Sequence, residues 1–282
     1  MGFDSTSYLM GKAAGGGGGT GIPMITRAEW NQLTTAQKQA YNYVAIQDQS
    51  TGLNRGALYY GGDFAPTGVY LPYSNSANVI CEAFAQDYTN GATHWGNGLE
   101  PVHLSNTSAS FDSTEGAVYI KTKTDDTIAS VDLGDSHKPY TAYMVAKTVN
   151  CASYNRILSV FNFHNSGGGL MFYGNPIVLS SWADTAASTS VNPNSDYFVC
   201  ALMWESASNN GGQVNGGTWL TRPAATHSGQ YVTIARTDTE VLTNEEPTDI
   251  YVKYFAVVTE AETQTVIGNN IAYLMTQYEI SP

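Results

Sequence analysis

From residue 66 to the end, apolar positions recur in short runs punctuated by Gly, Asn, Pro and Ser: GAVYIKTK, YTAYMVAKTV, RILSVFNF, GLMFYG, PIVLSSWAD, YFVCALMWES, TWLTRP, YVTIART and DIYVKYFAVVTEA. Runs of this length at regular intervals, with no amphipathic helices between them, predict the strands of a sandwich or jelly roll. The helical period shows only near the end, where Ile267, Ile271, Leu274 and Tyr278 fall on one face. Trp204 sits inside the apolar run YFVCALMWES and is predicted to be core.

The first 65 residues follow other patterns. Residues 1–21 place Tyr8, Leu9 and Met10 ahead of five consecutive glycines, Gly15 to Gly19. Gly-rich chain of this kind is a flexible coil without a core of its own, so this stretch reads as a short apolar docking peptide on a tether. Residues 22–65 read as a small α-β connector. Thr26 and Glu29 form a capping box, and Trp30, Leu33, Gln37 and Tyr41 follow at helical spacing, with Thr34 or Thr35 able to start a second short helix. YVAIQD and ALYYGG are then two strand-like runs around the turn-rich QSTGLNRG. The fold class predicted is mainly β: a sandwich over 66–282, preceded by the connector and a flexible N-terminal tail.

Composition agrees with this division. Of 282 residues, 42% are hydrophobic and only 13% charged, with 28 glycines and 19 tyrosines, a profile that favours β-structure with many turns. The net charge of -12 falls entirely after Pro66, because Asp4, Glu29, Asp48 and Asp63 are cancelled by Lys12, Arg27, Lys38 and Arg55. So acidic a body repels phosphate backbones, which argues against nucleic acid as a partner. Cys81, Cys151 and Cys200 are odd in number and far apart, so they read as small buried hydrophobes rather than a disulfide framework or zinc site. The N-terminal residues lack a basic segment followed by an apolar run, and no stretch of about 18 apolar residues occurs, so neither a signal peptide nor a membrane span is expected. MGFDST fits the myristoylation pattern, but no polybasic patch supports membrane anchoring.

Candidate chemistry is sparse. Retaining glycoside hydrolysis needs two carboxylates about 5 Å apart. The nearest candidates are Asp238 with Glu240, which lead into an acidic loop, and Glu260 with Glu262, where solvated surface or helix N-terminal charge is the simpler reading. Asp125, Asp126, Asp132 and Asp135 are the candidate Ca2+ ligands; they alternate with Ile128, Val131 and Leu133, so a polar strand end and turn is the competing reading, and no cofactor is assigned. His94, His103, His137, His164 and His227 are dispersed in Gly, Asn and Ser contexts without a nucleophile signature, and read as turn residues. The glycine runs at 167–169 and 211–217 lack GK[ST] and read as turns. The binding residues favoured are aromatics beside turn signals: Trp95 with His94 in TNGATHWGNG, Trp182 in LSSWADT and Trp219 in NGGTWLTR, since sugar faces stack on aromatic rings. Packing across the sandwich edge is the competing role for each.

Two resemblances follow from these residues. The order WGNG (95–98), ASFDSTEGAVYI (109–120), TAYMVAK (141–147), RILSVFN (156–162), GGGLMFYG (167–174), YFVCALMWES (197–206) and the segment 249–278 resembles the laminin-G-like, concanavalin A-like jelly rolls. That fold hosts lectins and glycoside hydrolases alike, so it does not choose between them. The glucanases of the fold carry a Glu-x-Asp-x-x-Glu or related strand, absent here. The front of the chain, DSTSYLMGK with its glycine run and the Thr26–Lys38 module, resembles bacteriophage and prophage virion proteins, in which such pieces attach a distal jelly roll to the particle. This resemblance implies synthesis in a host bacterial cytoplasm, location in the virion, other virion proteins as partners of Tyr8, Leu9 and Met10, and a homotrimer as the natural assembly of an appendage. A bacterial surface glycan is then the expected ligand of a lectin-like head or tail protein, not an enzyme's substrate. The alternatives are a capsid decoration protein with no ligand, and a polysaccharide-degrading hydrolase using Asp238 or Glu240.

Overall fold

The structure is a computed structural model, and it describes residues 24–26, 45–47, 57–58, 71–75, 78–96, 99–134, 138–161, 170–181, 187–222, 230–235 and 247–282. The chain divides into two compact units, Met1–Pro72 and Tyr73–Pro282. In the first, β1 (Met24–Thr26), β2 (Ala45–Gln47) and β3 (Ala57–Leu58) form a three-stranded sheet, with β1 parallel to β2 and β3 antiparallel to it. β2 and β3 fall within the two runs expected to be strands; the helix expected after Thr26 and the docking residues Tyr8, Leu9 and Met10 lie outside the described residues.

The second unit carries β4 (Val79–Phe84), β5 (His94–Trp95), β6 (Val102–Leu104), β7 (Ser110–Asp112), β8 (Ala117–Ile120), β9 (Ala129–Asp132), β10 (Tyr140–Val149), β11 (Arg156–Phe161), β12 (Leu170–Tyr173), β13 (Val178–Ser181), β14 (Ala187–Ser188), β15 (Phe198–Ser206), β16 (Asn209–Val214), β17 (Tyr231–Ile234) and β18 (Asp249–Val258). A final helix α1 spans Gln264–Gln277. The strands build two antiparallel sheets. The first runs β16-β15-β10-β18-β8-β7 with β4 also on β18, and the second runs β14-β13-β12-β11-β17-β9-β6-β5. Their inner faces meet in one core, with Met144, Phe198, Leu202 and Phe255 from the first sheet and Leu158, Leu170, Phe172 and Val232 from the second all at least 99% buried. The mainly β sandwich expected from the apolar runs is therefore present. TWLTRP is the exception, since it forms no strand and contributes only an isolated bridge between Leu220 and Gly212.

The outer face of the first sheet is divided. Over one part lies α1, started by Thr263, whose Oγ1 accepts the Val266 N–H at 3.3 Å, and closed by Glu279 in the left-handed region (φ 55) with the Ile280 N–H returning to the Met275 carbonyl at 2.8 Å. Its Ile267, Ile271 and Leu274 are fully buried, each stabilising by about 1.5–3 kcal/mol. Beneath the helix run Tyr143, Val145, Val199, Ala201, Tyr254 and Ala256, also fully buried. Polar groups under the helix are paired. Asn270 donates to Ser74 Oγ (2.9 Å) and the Tyr143 hydroxyl (3.2 Å), Tyr143 donates to the Glu262 carboxylate, and Tyr254 donates to Glu82 Oε1 at 2.7 Å. Glu262, 4% exposed and one residue before the N-cap, is thus a member of the interior and not the solvated charge its sequence context suggests.

All three cysteines are free and buried, as their spacing leads one to expect. Burial pushes the Cys151 thiol up to about 11, and Cys81 and Cys200 higher still, so none is a ready thiolate.

Candidate functional site

The part of the first sheet's outer face that α1 leaves uncovered is organised by strand register. Because side chains alternate along each strand, residues paired across neighbouring strands form rows on one face. One row reads Tyr119 on β8, opposite Tyr251 on β18, opposite Lys147 on β10. Tyr197 continues it, one residue before Phe198, which pairs with Ala146. The Tyr119 and Tyr251 rings stack at 4.6 Å and 21°. The Lys147 ammonium lies 5.4 Å from the Tyr251 ring centre and 5.0 Å from that of Tyr197, bridging the two rings. Three half-buried tyrosines and the lysine between them thus make a band across β8, β18 and β10 to the residue that precedes β15.

Lys253 joins the band through an irregularity. On β18, Val145 pairs with Tyr254 while Ala146 pairs with Val252, so Lys253 is the extra residue of a β-bulge. The bulge turns it onto the face of Tyr197, with its ammonium 4.0 Å from the ring centre. Burial lowers the Lys253 pKa. Glu115 receives Lys147 at 2.7 Å and the Tyr197 hydroxyl at 3.0 Å, and the Lys147 hydrogen bond holds its carboxyl below the usual range. Burial, with Asp249 beside it, pushes the Tyr119 hydroxyl up to about 12, and burial with Glu115 raises Tyr197 further. The tyrosines therefore stay neutral at ordinary pH and present an apolar face with a hydroxyl edge.

Tyr197 also lines a cleft of about 490 Å3, together with Tyr278, Asn192, Ser195, Asn215 and Glu279. That volume lies in the range of small-ligand sites, and its lining offers two rings together with amide, hydroxyl and carboxylate groups. The band and the cleft share Tyr197, so an extended ligand lying on the band reaches polar partners at one end.

The residues favoured from sequence fall elsewhere. Trp95 is a correction: it is 2% exposed, its indole N–H donates to the Phe84 carbonyl at 2.7 Å and its ring meets Tyr88 edge-on at 6.3 Å, so it is core and not a loop ring open to ligand. The adjacent Gly96 (φ 96) lets the chain pass so close to β4 that a Cβ there would lie 2.6 Å from that of Ala83. His94 is exposed at the sheet edge, beside His103. Trp219 is half-buried against Gly211, where a Cβ would come within 2.8 Å of the indole; its ring packs on that strand. Trp182 lies outside the described residues, as do Asp135, Asp238 and Glu240. Among the described residues no three His, Cys, Asp or Glu side chains converge as metal ligands; Asp125 is paired with Lys121 at 3.3 Å, and Asp132 accepts from the Gly134 N–H and from Gln230. No helix among the described residues is long and apolar enough to cross a membrane.

Sequence reasoning missed the tyrosine band because it looked for tryptophan in loops. The available signal was alternation, as Asp249, Tyr251 and Lys253 interleave with Ile250 and Val252 in DIYVK. No family model and no curated protein matches the chain. Among solved structures it is similar to the binding domain of botulinum neurotoxin serotype D/C, at 11% identity and TM-score 0.49 over 70% of this chain. It is also similar to botulinum neurotoxin type C, whose uptake by cells depends on two ganglioside molecules, at 12% identity and TM-score 0.48 over 72%, and to the D/C binding domain in complex with rat synaptotagmin II, at 12% and 0.48. The chain spans about half the length of each, 52%, and a likeness of this degree carries nothing about what it binds.

Proposed function

We propose that this chain is a structural protein of a bacteriophage particle, in head or tail, whose β-sandwich is a lectin-like module for a glycan on the bacterial surface. The observation that carries the binding reading is the Tyr119–Tyr251–Tyr197 band with its adjoining cleft. Sugar rings present apolar C–H faces that stack on aromatic rings, while their hydroxyls take up amides and carboxylates of the kind that line the cleft. The virion reading rests on the resemblance of the front of the chain. In it, Tyr8, Leu9 and Met10 order on another virion protein, the glycine tether lets the sandwich reach outward, and a homotrimer multiplies weak contacts through effective concentration.

Glycan-array binding tests the first part. Tyr251→Ala is expected to weaken binding by about tenfold through lost stacking, and Tyr119→Ala by a similar factor. Undiminished binding by both variants would overturn the site. Complete absence of glycan binding with tight particle association would instead favour a decoration protein, and release of reducing ends from wall or capsule polysaccharide a hydrolase. For the second part, deletion of residues 2–12 is expected to leave the sandwich folded and abolish incorporation into particles, read by imaging labelled protein; unchanged incorporation sinks the docking role.

A further inference from the structure

The five histidines are scattered in sequence, yet the fold sets two of them side by side. His94 on β5 and His103 on β6 are direct cross-strand partners. The neighbouring pair is joined by the Leu104 N–H donating to the Thr93 carbonyl at 2.8 Å, so His94 and His103 occupy a non-hydrogen-bonded position, the kind at which side chains approach most closely. Both are exposed, His94 on β5, which ends the eight-stranded sheet, and His103 on the neighbouring β6, and their rings stand 5.2 Å apart at 76°.

We propose that His94 and His103 form a chelating site for a late first-row divalent cation, Zn2+, Ni2+ or Cu2+. Imidazole nitrogen suits these borderline ions, whereas Ca2+ takes oxygen ligands. Ring centres 5.2 Å apart put both imidazoles within reach of one ion, whose two metal–nitrogen bonds of about 2.0–2.1 Å require nitrogens roughly 3 Å apart, a placement that side-chain rotation supplies. His94 Nδ1 lies 3.2 Å from Thr93 Oγ1. With Nδ1–H donating to that oxygen, Nε2 carries the free lone pair, the outer contact that commonly orients a metal-binding histidine. The backbone is anchored at this point, because buried Trp95 follows His94 and buried Val102 and Leu104 flank His103, so the two Cα positions are set before the ion arrives. Two protein ligands leave the remaining positions open to water or to a ligand from outside.

The test uses the full chain and the metals alone. Titration with Zn2+ is expected to show one site that weakens at least tenfold in His94→Asn and equally in His103→Asn, with melting temperatures unchanged because both side chains are exposed. Electron paramagnetic resonance with Cu2+ is expected to show two equatorial imidazole nitrogens in the unaltered chain and fewer in each variant. Absence of binding, binding undiminished in the two variants, or a Cu2+ spectrum without a nitrogen pair would overturn the site.

Discussion

Trp95→Ala is expected to lower the stability of the sandwich by about 3–5 kcal/mol, the range for emptying a large aromatic from a packed core. The indole is 2% exposed and fills the space beside Tyr88, whose single O–H lies between the carbonyls of Ala92 and Ala109, 3.1 Å from each. Removing it opens a cavity, leaves the Phe84 carbonyl without its 2.7 Å donor and loosens the anchor of the segment between β4 and β7. Trp95→Phe keeps most of the apolar bulk and loses only the donor, so it is expected to cost about 1–3 kcal/mol. Urea unfolding measures both. The pair also separates core from ligand roles: Trp95→Phe, assayed below its melting temperature, is expected to keep the glycan affinity that Tyr251→Ala weakens. Equal stability of Trp95→Ala and the parent would refute the core assignment.

The second large effect is expected under α1. Asn270 is fully buried, accepts the Tyr73 N–H on Oδ1 at 3.2 Å and donates to Ser74 Oγ and the Tyr143 hydroxyl. Asn270→Leu conserves volume while leaving the part-buried Tyr73 N–H and the buried Ser74 hydroxyl short of a partner; at about 1–3 kcal/mol for each group, a loss on the order of 2–6 kcal/mol is expected. Ser74→Ala removes one of the stranded groups, so the double variant is expected to lose less than the sum of the two single changes. Additive losses would mean that the two side chains are not coupled, against the 2.9 Å contact.

Much of the sandwich was legible in the sequence. YTAYMVAKTV is β10 residue for residue, and YFVCALMWES and DIYVKYFAVVTEA contain β15 and β18. These strands are central and buried, so nearly every residue is apolar and the run announces itself. β4 was not legible as a strand because Glu82 interrupts NVICEAF; its carboxylate accepts the Tyr254 hydroxyl, 172 residues away. TWLTRP misled in the opposite direction, since its Trp219 ring packs on Gly211 and its Leu220 meets Gly212 in one isolated bridge instead of a ladder.

The candidate sites divide along the same line. Trp95 stands beside Gly96 and looks like a loop residue, yet that glycine allows a close crossing over β4 that buries the indole. Tyr119, Tyr251 and Tyr197 are unremarkable in three separate runs, and His94 and His103 look unrelated. Each becomes a site only through pairing across strands.

By itself the sequence determined the class of fold, the buried state of the cysteines, the final helix with its Ile267, Ile271 and Leu274 stripe, and the concentration of negative charge after Pro66. Those properties follow from local period and composition, which each segment carries within itself. Only the tertiary structure decided which aromatic is core and which is surface, that Lys253 leaves the ladder at a bulge, and that residues 119 and 251, or 94 and 103, face one another. Register depends on which distant segments bury each other's apolar faces, and that choice is made by the whole sandwich at once.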